Sequence, residues 1–523
     1  MTGTIFRWHL RLAWVAALAA CLWGLSGILH PVLVWTMPQP AERRPPPAVL
    51  DLAGVLPPAM ALSAAGLGPV AELRASGAFG RPHYAVRLED SAVRRWFDAA
   101  TGAELADGDR LRAEALARHF SGERDAPVRL VEPVAAFDDD YPAVNRLLPV
   151  WRVAFDRPDG LTAYVDTGGD RLATLTDDRK RVLQALFRTV HTMSFLRGWS
   201  EAGRTLVVAL LVGSVLAMAV LGIGLLVFLR RRKRLTGARG WHRGLAYAAA
   251  LPALAFTISG LWQVLHGLSA EDAPARPRPL ALDIAALTVD PAALGPDLPP
   301  GHAVAGLTVV RGVAERPLLR LELVPPRGGS AAGTAGHGQH GPHGAHGAHA
   351  NNGGPAPAMA EAFFRGMALS GPAIYVDAAT STPATDDAAL ARHLALAATG
   401  LPETAILSAD PVTRFTDEYG FLHKRLPVWR IAADAPGNPR IFVDTRDAVV
   451  AATVTDADLL AATVFDWLHK GKWAEPLGRV PRDVVLILLV LTILAATGVG
   501  VALRLRRRSP AARVAAPGSA PAE

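Results

Sequence analysis

The sequence contains a single cysteine, Cys21, among its 523 residues. One cysteine excludes an intramolecular disulfide and every cysteine-based zinc, iron–sulfur or c-type haem site within the chain. Charged residues are also scarce, at 19%, whereas a soluble globular chain carries about a quarter. The sequence has no P-loop, nucleophile elbow, HExxH or dinucleotide-binding motif. Half of the residues are hydrophobic, which is typical of a membrane protein.

The apolar residues are concentrated in four windows that carry no charge. A helix needs about 20 apolar residues to cross the hydrocarbon core, and each window is long enough. The first window is longer than the apolar part of a signal peptide and lacks an A-x-A cleavage site, so we expect it to be retained. The sequence therefore predicts transmembrane helices at residues 12–36, 205–229, 244–268 and 484–503.

The positions of arginine and lysine predict the orientation of these helices. Segment 230–243 carries seven positive charges and no acid, and segment 504–523 carries five. Such short basic segments stay in the cytoplasm. We therefore expect a membrane protein with both termini (1–11 and 504–523) and the loop 230–243 in the cytoplasm, and with large segments at 37–200 and 269–480 on the outer side. The basic charge is explained by orientation, so no nucleic-acid partner is expected.

Two halves of the sequence repeat one another. Residues 148–152 read Leu-Pro-Val-Trp-Arg, and the same five residues recur at 426–430, an offset of 278. The remaining matches at this offset are Tyr141 with Tyr419, Val-Asp-Thr at 165–167 and 443–445, and His191 with His469. Trp-His and Ser-Gly pairs in the first and third helices recur at an offset of 233, at 8–9 and 241–242 and at 26–27 and 259–260. The pattern predicts an internal duplication of a unit made of a helix, an α+β domain and a helix.

Turn residues and hydrophobic patterning predict the elements of each large segment. The predicted strands are 148–155 and 426–432, with hairpin partners at 162–166 and 440–444. The predicted amphipathic helices are 111–120 and 387–398. A helix and an antiparallel sheet can bury one apolar face between them, which is the arrangement we expect.

These motifs resemble a known family. An acid followed by Tyr, then Leu-Pro-Val-Trp-Arg and an aromatic-Val-Asp-Thr strand, resembles a PepSY domain. Helices with Trp-His at the entry and Ser-Gly near the exit resemble the PepSY-associated transmembrane family, over about residues 5–505. The resemblance implies a membrane protein of four transmembrane α-helices with two extracytoplasmic α+β PepSY-like domains. Members include iron-regulated inner-membrane proteins, and some of them are haem-containing ferric-siderophore reductases.

Histidines near the predicted helix ends are candidate haem ligands, because ionisable residues in membrane segments are rare and imidazole is a common axial ligand. The six candidates are His9, His30, His191, His242, His266 and His469. If each repeat contributes one histidine at the same depth in the membrane, His9 pairs with His242 and His191 pairs with His469. Alternatively, His30 and His266 each complete a pair with His191 or His469. The remaining alternative is that these histidines lie in an interfacial belt with Trp8, Trp35, Trp199, Trp241 and Trp473.

A Gly/Ala-rich insertion at 328–357 lies outside the repeat. It contains histidines at every third position: His337, His340, His343, His346 and His349. Flexible imidazoles bind copper, nickel or zinc ions weakly, so this insertion predicts metal affinity, a delivery role or a plain linker. The acidic runs at 138–140 and 417–418 predict either a cationic ligand or solvated turns.

The sequence as a whole predicts an inner-membrane protein with haem b, either one or two copies. It would pass electrons across the bilayer to reduce a chelated metal, such as a ferric siderophore, and so support iron uptake. Because no flavin or NAD site is evident, the electron donor would be a quinol or a cytoplasmic partner. The alternative is a non-enzymatic PepSY scaffold that binds a periplasmic partner or a metal complex. A permease is disfavoured because the helices lack intramembrane carboxylates and interruptions.

Overall fold

The computed structural model describes residues 2–46, 49–196, 198–228, 236–269, 282–312, 316–324 and 373–508. The chain divides into two compact units. The helical unit comprises Met1–Met37, Arg179–Asp272 and Ala457–Glu523, and the sheet unit comprises Pro38–Asp178 and Ala273–Asp456. Each unit is therefore assembled from separate parts of the chain.

The helices alternate between long apolar segments and shorter amphipathic ones. In chain order they are α1 (Thr2–Thr36), α2 (Pro58–Ala61), α3 (Gly108–Ser121), α4 (Asp178–His191), α5 (Glu201–Phe228), α6 (Gly237–Ser269), α7 (Asp387–Thr399), α8 (Asp456–Leu468) and α9 (Arg479–Arg508). Within the described residues, four helices, α1, α5, α6 and α9, are long and apolar enough to cross a membrane. This agrees with the predicted multi-pass membrane protein.

Three of these helices extend well beyond the charge-free windows. The helix predicted at 12–36 begins at Thr2, the one at 244–268 begins at Gly237, and the one at 484–503 runs from Arg479 to Arg508. The boundaries differ because a charged residue marks the end of the apolar segment, whereas a helix ends where its backbone hydrogen bonding ends. The basic residues at these ends are therefore helical.

The four long helices form a closed ring within the helical unit. Helices α1 and α6 each pack against both α5 and α9. The approach of α1 to α9 is close, because a Cβ atom at Gly24 would lie 2.8 Å from Leu494 Cδ2. Glycine at this position allows the two backbones to pack together, as is common between membrane helices.

The sheet unit contains antiparallel strands in three sheets. In chain order the strands are β1 (Val70–Ser76), β2 (His83–Leu88), β3 (Arg94–Asp98), β4 (Glu104–Leu105), β5 (Val128–Val134), β6 (Val150–Phe155), β7 (Thr162–Asp166), β8 (Arg171–Thr176), β9 (Ala303–Arg311), β10 (Pro317–Val324), β11 (Ala373–Asp377), β12 (Pro383–Thr385), β13 (Ile406–Val412), β14 (Val428–Ala433), β15 (Arg440–Asp444) and β16 (Val449–Val454). The sheet orders are β12-β11-β10-β9-β1-β2-β3-β4, β5-β6-β7-β8 and β13-β14-β15-β16.

The eight-stranded sheet joins two distant parts of the sequence. Strand β1 pairs with β9, with Arg74 opposite Thr308. These strands lie in segments that were predicted as separate domains, 37–200 and 269–480. Pairing between strands so far apart leaves no local pattern, so this shared sheet was not anticipated. Its apolar face forms the largest hydrophobic cluster of the sheet unit.

The two four-stranded sheets have the same internal register at an offset of 278. Trp151 faces Val165 in β6–β7, and Trp429 faces Val443 in β14–β15. Helix α3 packs on the first of these sheets and α7 on the second. Strands β6 and β14 begin two residues after the predicted starts of 148 and 426. The proline of each Leu-Pro pair has no N–H to donate to a neighbouring strand, which explains the later start. Both of these Leu–Pro peptide bonds are cis.

Candidate functional site

Two of the predicted histidines, His191 and His469, come together in the helical unit. His191 is the last residue of α4, and His469 directly follows α8. Their ring centres lie 6.4 Å apart, with the ring planes inclined by 80°. Both side chains are half-buried. The short amphipathic helices before α5 and α9 therefore deliver one imidazole each to the same place.

Each imidazole is held by a serine of a neighbouring membrane helix. His191 Nδ1 lies 3.0 Å from Ser26 Oγ on α1, and His469 Nδ1 lies 3.2 Å from Ser259 Oγ on α6. The serine hydroxyls donate to carbonyl oxygens of their own helices, at 2.6 Å and 2.7 Å respectively. With its proton directed at a carbonyl, each Oγ can accept a hydrogen bond from Nδ1–H. In that tautomer Nε2 carries the lone pair that a metal would bind.

Aromatic residues fix the orientation of the two rings. Phe187 stacks on His191 and Phe465 stacks on His469, each with a centroid distance of 4.6 Å and nearly parallel planes. Each phenylalanine lies four residues before its histidine, which places both side chains on one face of a helix. Trp23 adds a hydrogen bond to the backbone oxygen of His191, at 2.9 Å.

The two imidazoles are neutral at physiological pH. Burial, with the nearby His469 and His30, lowers the pKa of His191 to about 3. Burial also lowers the pKa of His469 to about 4. A metal binds the neutral form of imidazole, so both side chains have the protonation state that a ligand requires.

This arrangement is compatible with a haem iron between the two rings. Two imidazoles that each bind one metal at roughly 2 Å can have ring centres up to about 6 Å apart. The observed separation is 6.4 Å. Across the described residues, no group of three or more His, Cys, Asp or Glu side chains is arranged to hold a metal ion. A b-type haem requires only two protein ligands, since the porphyrin supplies the others.

The histidines at the C-terminal ends of α1 and α6 have different surroundings. His30 is exposed, and its ring centre lies 5.8 Å from Phe187, so it lies beside the His191–His469 pair. His266 Nε2 lies 3.1 Å from Asp458 Oδ1, an ion pair if the imidazole is protonated. The pairings of His30 or His266 with His191 or His469 therefore have less geometric support than the direct pair.

The second repeat-matched pair, His9 and His242, lies near the opposite ends of α1 and α6. The two imidazoles are close enough to interact electrostatically. His242 Nδ1 lies 3.0 Å from the carbonyl oxygen of Ala496 on α9, which leaves its Nε2 available. His9 Nδ1 is buried and has no hydrogen-bond partner in the described part of the chain. An unsatisfied buried nitrogen is unusual and is consistent with a ligand site.

Sequence reasoning missed the residues that orient His191 and His469. Ser26 and Ser259 were noted only as repeat matches, and Phe187 and Phe465 were not noted at all. The repeat itself carried the available signal, because Phe187 and Phe465 are also separated by 278 residues. A repeated residue near a repeated histidine is a reasonable candidate for a supporting role.

The other candidate metal or cation sites do not add to this site. His337, His340, His343, His346 and His349 lie outside the described residues, and their role stays a prediction. The acidic runs are used within the sheet unit. Asp138 pairs with Arg152 at 3.0 Å, and Glu418 pairs with Arg430 at 2.7 Å. These arginines belong to the two Leu-Pro-Val-Trp-Arg motifs, so Asp138 and Glu418 each pair with the arginine of their own repeat, and a cationic ligand at the acidic runs stays a prediction.

A scan against protein-family models finds no match to this chain. A search of curated proteins also finds none.

Proposed function

We propose that this chain is a haem b protein of the inner membrane that passes electrons to a chelated ferric ion. The observation that carries the proposal is the pair of imidazoles at His191 and His469, each with its Nδ1 within hydrogen-bond distance of a serine hydroxyl. Membership of the PepSY-associated transmembrane family, suggested by the sequence motifs, is part of the same proposal. The basic segments support an orientation with the sheet unit in the periplasm.

An internal duplication would explain why the site contains two similar serine–histidine contacts. Ser26 with His191 and Ser259 with His469 are equivalent under the offsets of 233 and 278. The identical registers of the two four-stranded sheets support the same interpretation. A duplicated helix–domain–helix unit would place one ligand from each copy about a common axis, as in other symmetric helix bundles.

The residues of the chain have separate tasks in this proposal. A bound haem supplies a one-electron couple between ferric and ferrous iron. His191 and His469 would hold the iron through Nε2, and Ser26 and Ser259 would keep both rings in the ligating tautomer. His9 and His242 are the candidates for a second haem nearer the opposite face. Reduction of a chelated ferric ion weakens its binding to hard oxygen ligands, which would favour release of the metal.

The serine hydrogen bonds give a specific prediction. We expect Ser26→Ala and Ser259→Ala each to weaken haem binding about 10-fold, because a lost outer-shell hydrogen bond leaves the imidazole free to rotate and change tautomer. Ser214→Ala is the matched control, since Ser214 Oγ donates to Leu211 O on α5 and contacts no histidine. Absorbance titration of the haem-free variants with haem measures the effect. Equal affinities for all three variants would contradict the assigned role of the serines.

Electron transfer to a ferric chelate tests the function itself. The purified protein would be reduced with a limiting amount of dithionite and mixed with a ferric hydroxamate in a stopped-flow spectrometer. We expect the reduced haem spectrum to decay and a ferrous-specific chelator to trap an equivalent amount of Fe(II). The corresponding gallium complex, which cannot be reduced, is the control and should leave the haem reduced. A haem that stays reduced with both complexes would argue against metal reduction and favour a binding scaffold.

A further inference from the structure

Arg479, the first residue of α9, is a buried cation with unused hydrogen-bond donors. Its side chain is only 11% exposed. Its Nε and Nη1 atoms are buried and make no hydrogen bond to any described residue. A buried guanidinium with unsatisfied donors is energetically costly, so an anionic ligand at this position would be stabilising.

The nearest carboxylate, Asp483, is already used by other donors. Arg482 Nη2 donates to Asp483 Oδ1 at 2.9 Å, and Trp35 Nε1 donates to Asp483 Oδ2 at 3.1 Å. Arg479 Nε lies 3.8 Å from Asp483 Oδ2, which is too far for a hydrogen bond. Asp483 therefore compensates part of the charge of Arg479 but leaves its donors unsatisfied.

The guanidinium of Arg479 lies near His30, which is beside the His191–His469 pair. Arg479, together with Lys470 and Asp483, is near enough to His30 to interact electrostatically. Lys470, which follows His469 in the sequence, is paired with Asp466 at 2.8 Å. Among the described cations near His30, Arg479 is therefore the one with buried donors that make no hydrogen bond.

Arg479 also departs from the internal repeat. The position 278 residues earlier is Glu201, which is ion-paired with Arg204. The first copy thus has a satisfied acid–base pair where the second copy has an unsatisfied arginine. A structural role shared by both copies would not explain this difference.

We propose that Arg479 binds a propionate carboxylate of the haem held by His191 and His469. This rests on the proposed function. A guanidinium presents a planar set of donors that matches a carboxylate, which makes arginine well suited to this contact. A propionate is a carboxylate arm of the haem itself, so this contact needs no second molecule beside Arg479. A lipid phosphate is the other oxyanion with this chemistry, and the test separates the two.

The test compares haem with its dimethyl ester, in which both propionates are uncharged. The haem-free full-length protein would be titrated with each compound and binding followed by absorbance. We expect wild type to bind haem at least about 10-fold more tightly than the ester, since a charge-assisted hydrogen bond is lost. Arg479→Gln should bind both compounds equally, and Arg479→Lys should give an intermediate preference. Arg392→Gln, at an exposed arginine on α7 of the sheet unit, is the control and should keep the wild-type preference.

Three other outcomes would overturn the proposal, and they can be told apart. The first is an Arg479→Gln variant that still prefers haem over the ester as strongly as wild type does. If helical content and gel filtration show that this variant is folded, Arg479 does not bind a propionate. Loss of bound phosphatidylglycerol from the variant in native mass spectrometry, with the haem preference unchanged, would assign the oxyanion to a lipid. A wild-type protein that binds neither compound would overturn both this inference and the proposed function.

Discussion

Replacing His469 with alanine is expected to remove one haem per chain from the purified protein. The reason is that His191 and His469 would together hold one haem iron, so loss of either imidazole removes half of the protein's ligands to it. His191→Ala should therefore have the same effect, and the double variant should lose no more than either single variant. Pyridine haemochrome assays of the variants, purified in parallel, measure the haem content.

A histidine outside the helical unit serves as the control for these variants. His393→Ala, on α7 of the sheet unit, should keep the full haem content. If His191→Ala and His469→Ala each removed a different haem, the double variant would lose two, and the shared-iron assignment would be wrong. If both single variants retain all haem, His191 and His469 are not its ligands, and His9 and His242 become the remaining repeat-matched candidates.

The second large effect concerns Asp447, a buried acid of the sheet unit. Asp447 lies in the turn between β15 and β16 and is surrounded by arginines. Arg74 Nη2 lies 2.5 Å away and Arg171 Nη1 lies 2.8 Å away, and Arg425 also pairs with this carboxylate. Arg74 belongs to β1, Arg171 to β8 and Arg425 to the segment before β14. One carboxylate thus joins parts of the chain that are more than 300 residues apart in sequence.

Asp447→Asn is expected to destabilise the sheet unit by about 3–5 kcal/mol, because it removes one of the carboxylates that balance these three arginines and leaves them to share Glu72 and Asp444. Urea unfolding of the full-length protein, followed by circular dichroism, measures the change in the unfolding midpoint. Asp434→Asn is the control, since Asp434 is exposed, and its midpoint should match that of wild type. A variant at Asp447 with the wild-type midpoint would show that the charges contribute little.

The same residue predicts how stability depends on pH. Burial alone would raise the pKa of Asp447, but the guanidinium groups of Arg171, Arg74 and Arg425 outweigh it and hold the pKa well below its usual range. A group with a depressed pKa stabilises the fold above its unfolded pKa, about 4 for aspartate, and this contribution is lost as the pH falls further. Wild type should therefore lose stability below about pH 4, and Asp447→Asn should lose less over the same range.

Local features of the fold were predictable from the sequence. The apolar windows predicted the four long helices because the need for about 20 apolar residues is independent of the rest of the fold. Strands β7 and β15 were predicted with their observed bounds, 162–166 and 440–444, because turn residues flank both of them. Helix α7 was predicted from residue 387, where Asp386 caps its first turn.

Features that depend on distant contacts were not predictable. The pairing of β1 with β9 and the arginines around Asp447 both bring together residues from opposite halves of the sequence. Within the candidate site, the six histidines could be named from the sequence, but their pairing could not. Helical periodicity does not show which histidines lie next to each other or which of them contact a serine. The structure shows both for His191 and His469.

A difference spectrum between oxidised and dithionite-reduced protein tests haem binding most directly. The protein would be purified in detergent from cells supplied with haem, and the haem would be quantified as its pyridine complex. The proposal predicts a b-type spectrum with at least one haem per chain, typical of two histidine ligands. A colourless preparation of folded protein would contradict it and would leave a membrane-anchored binding module.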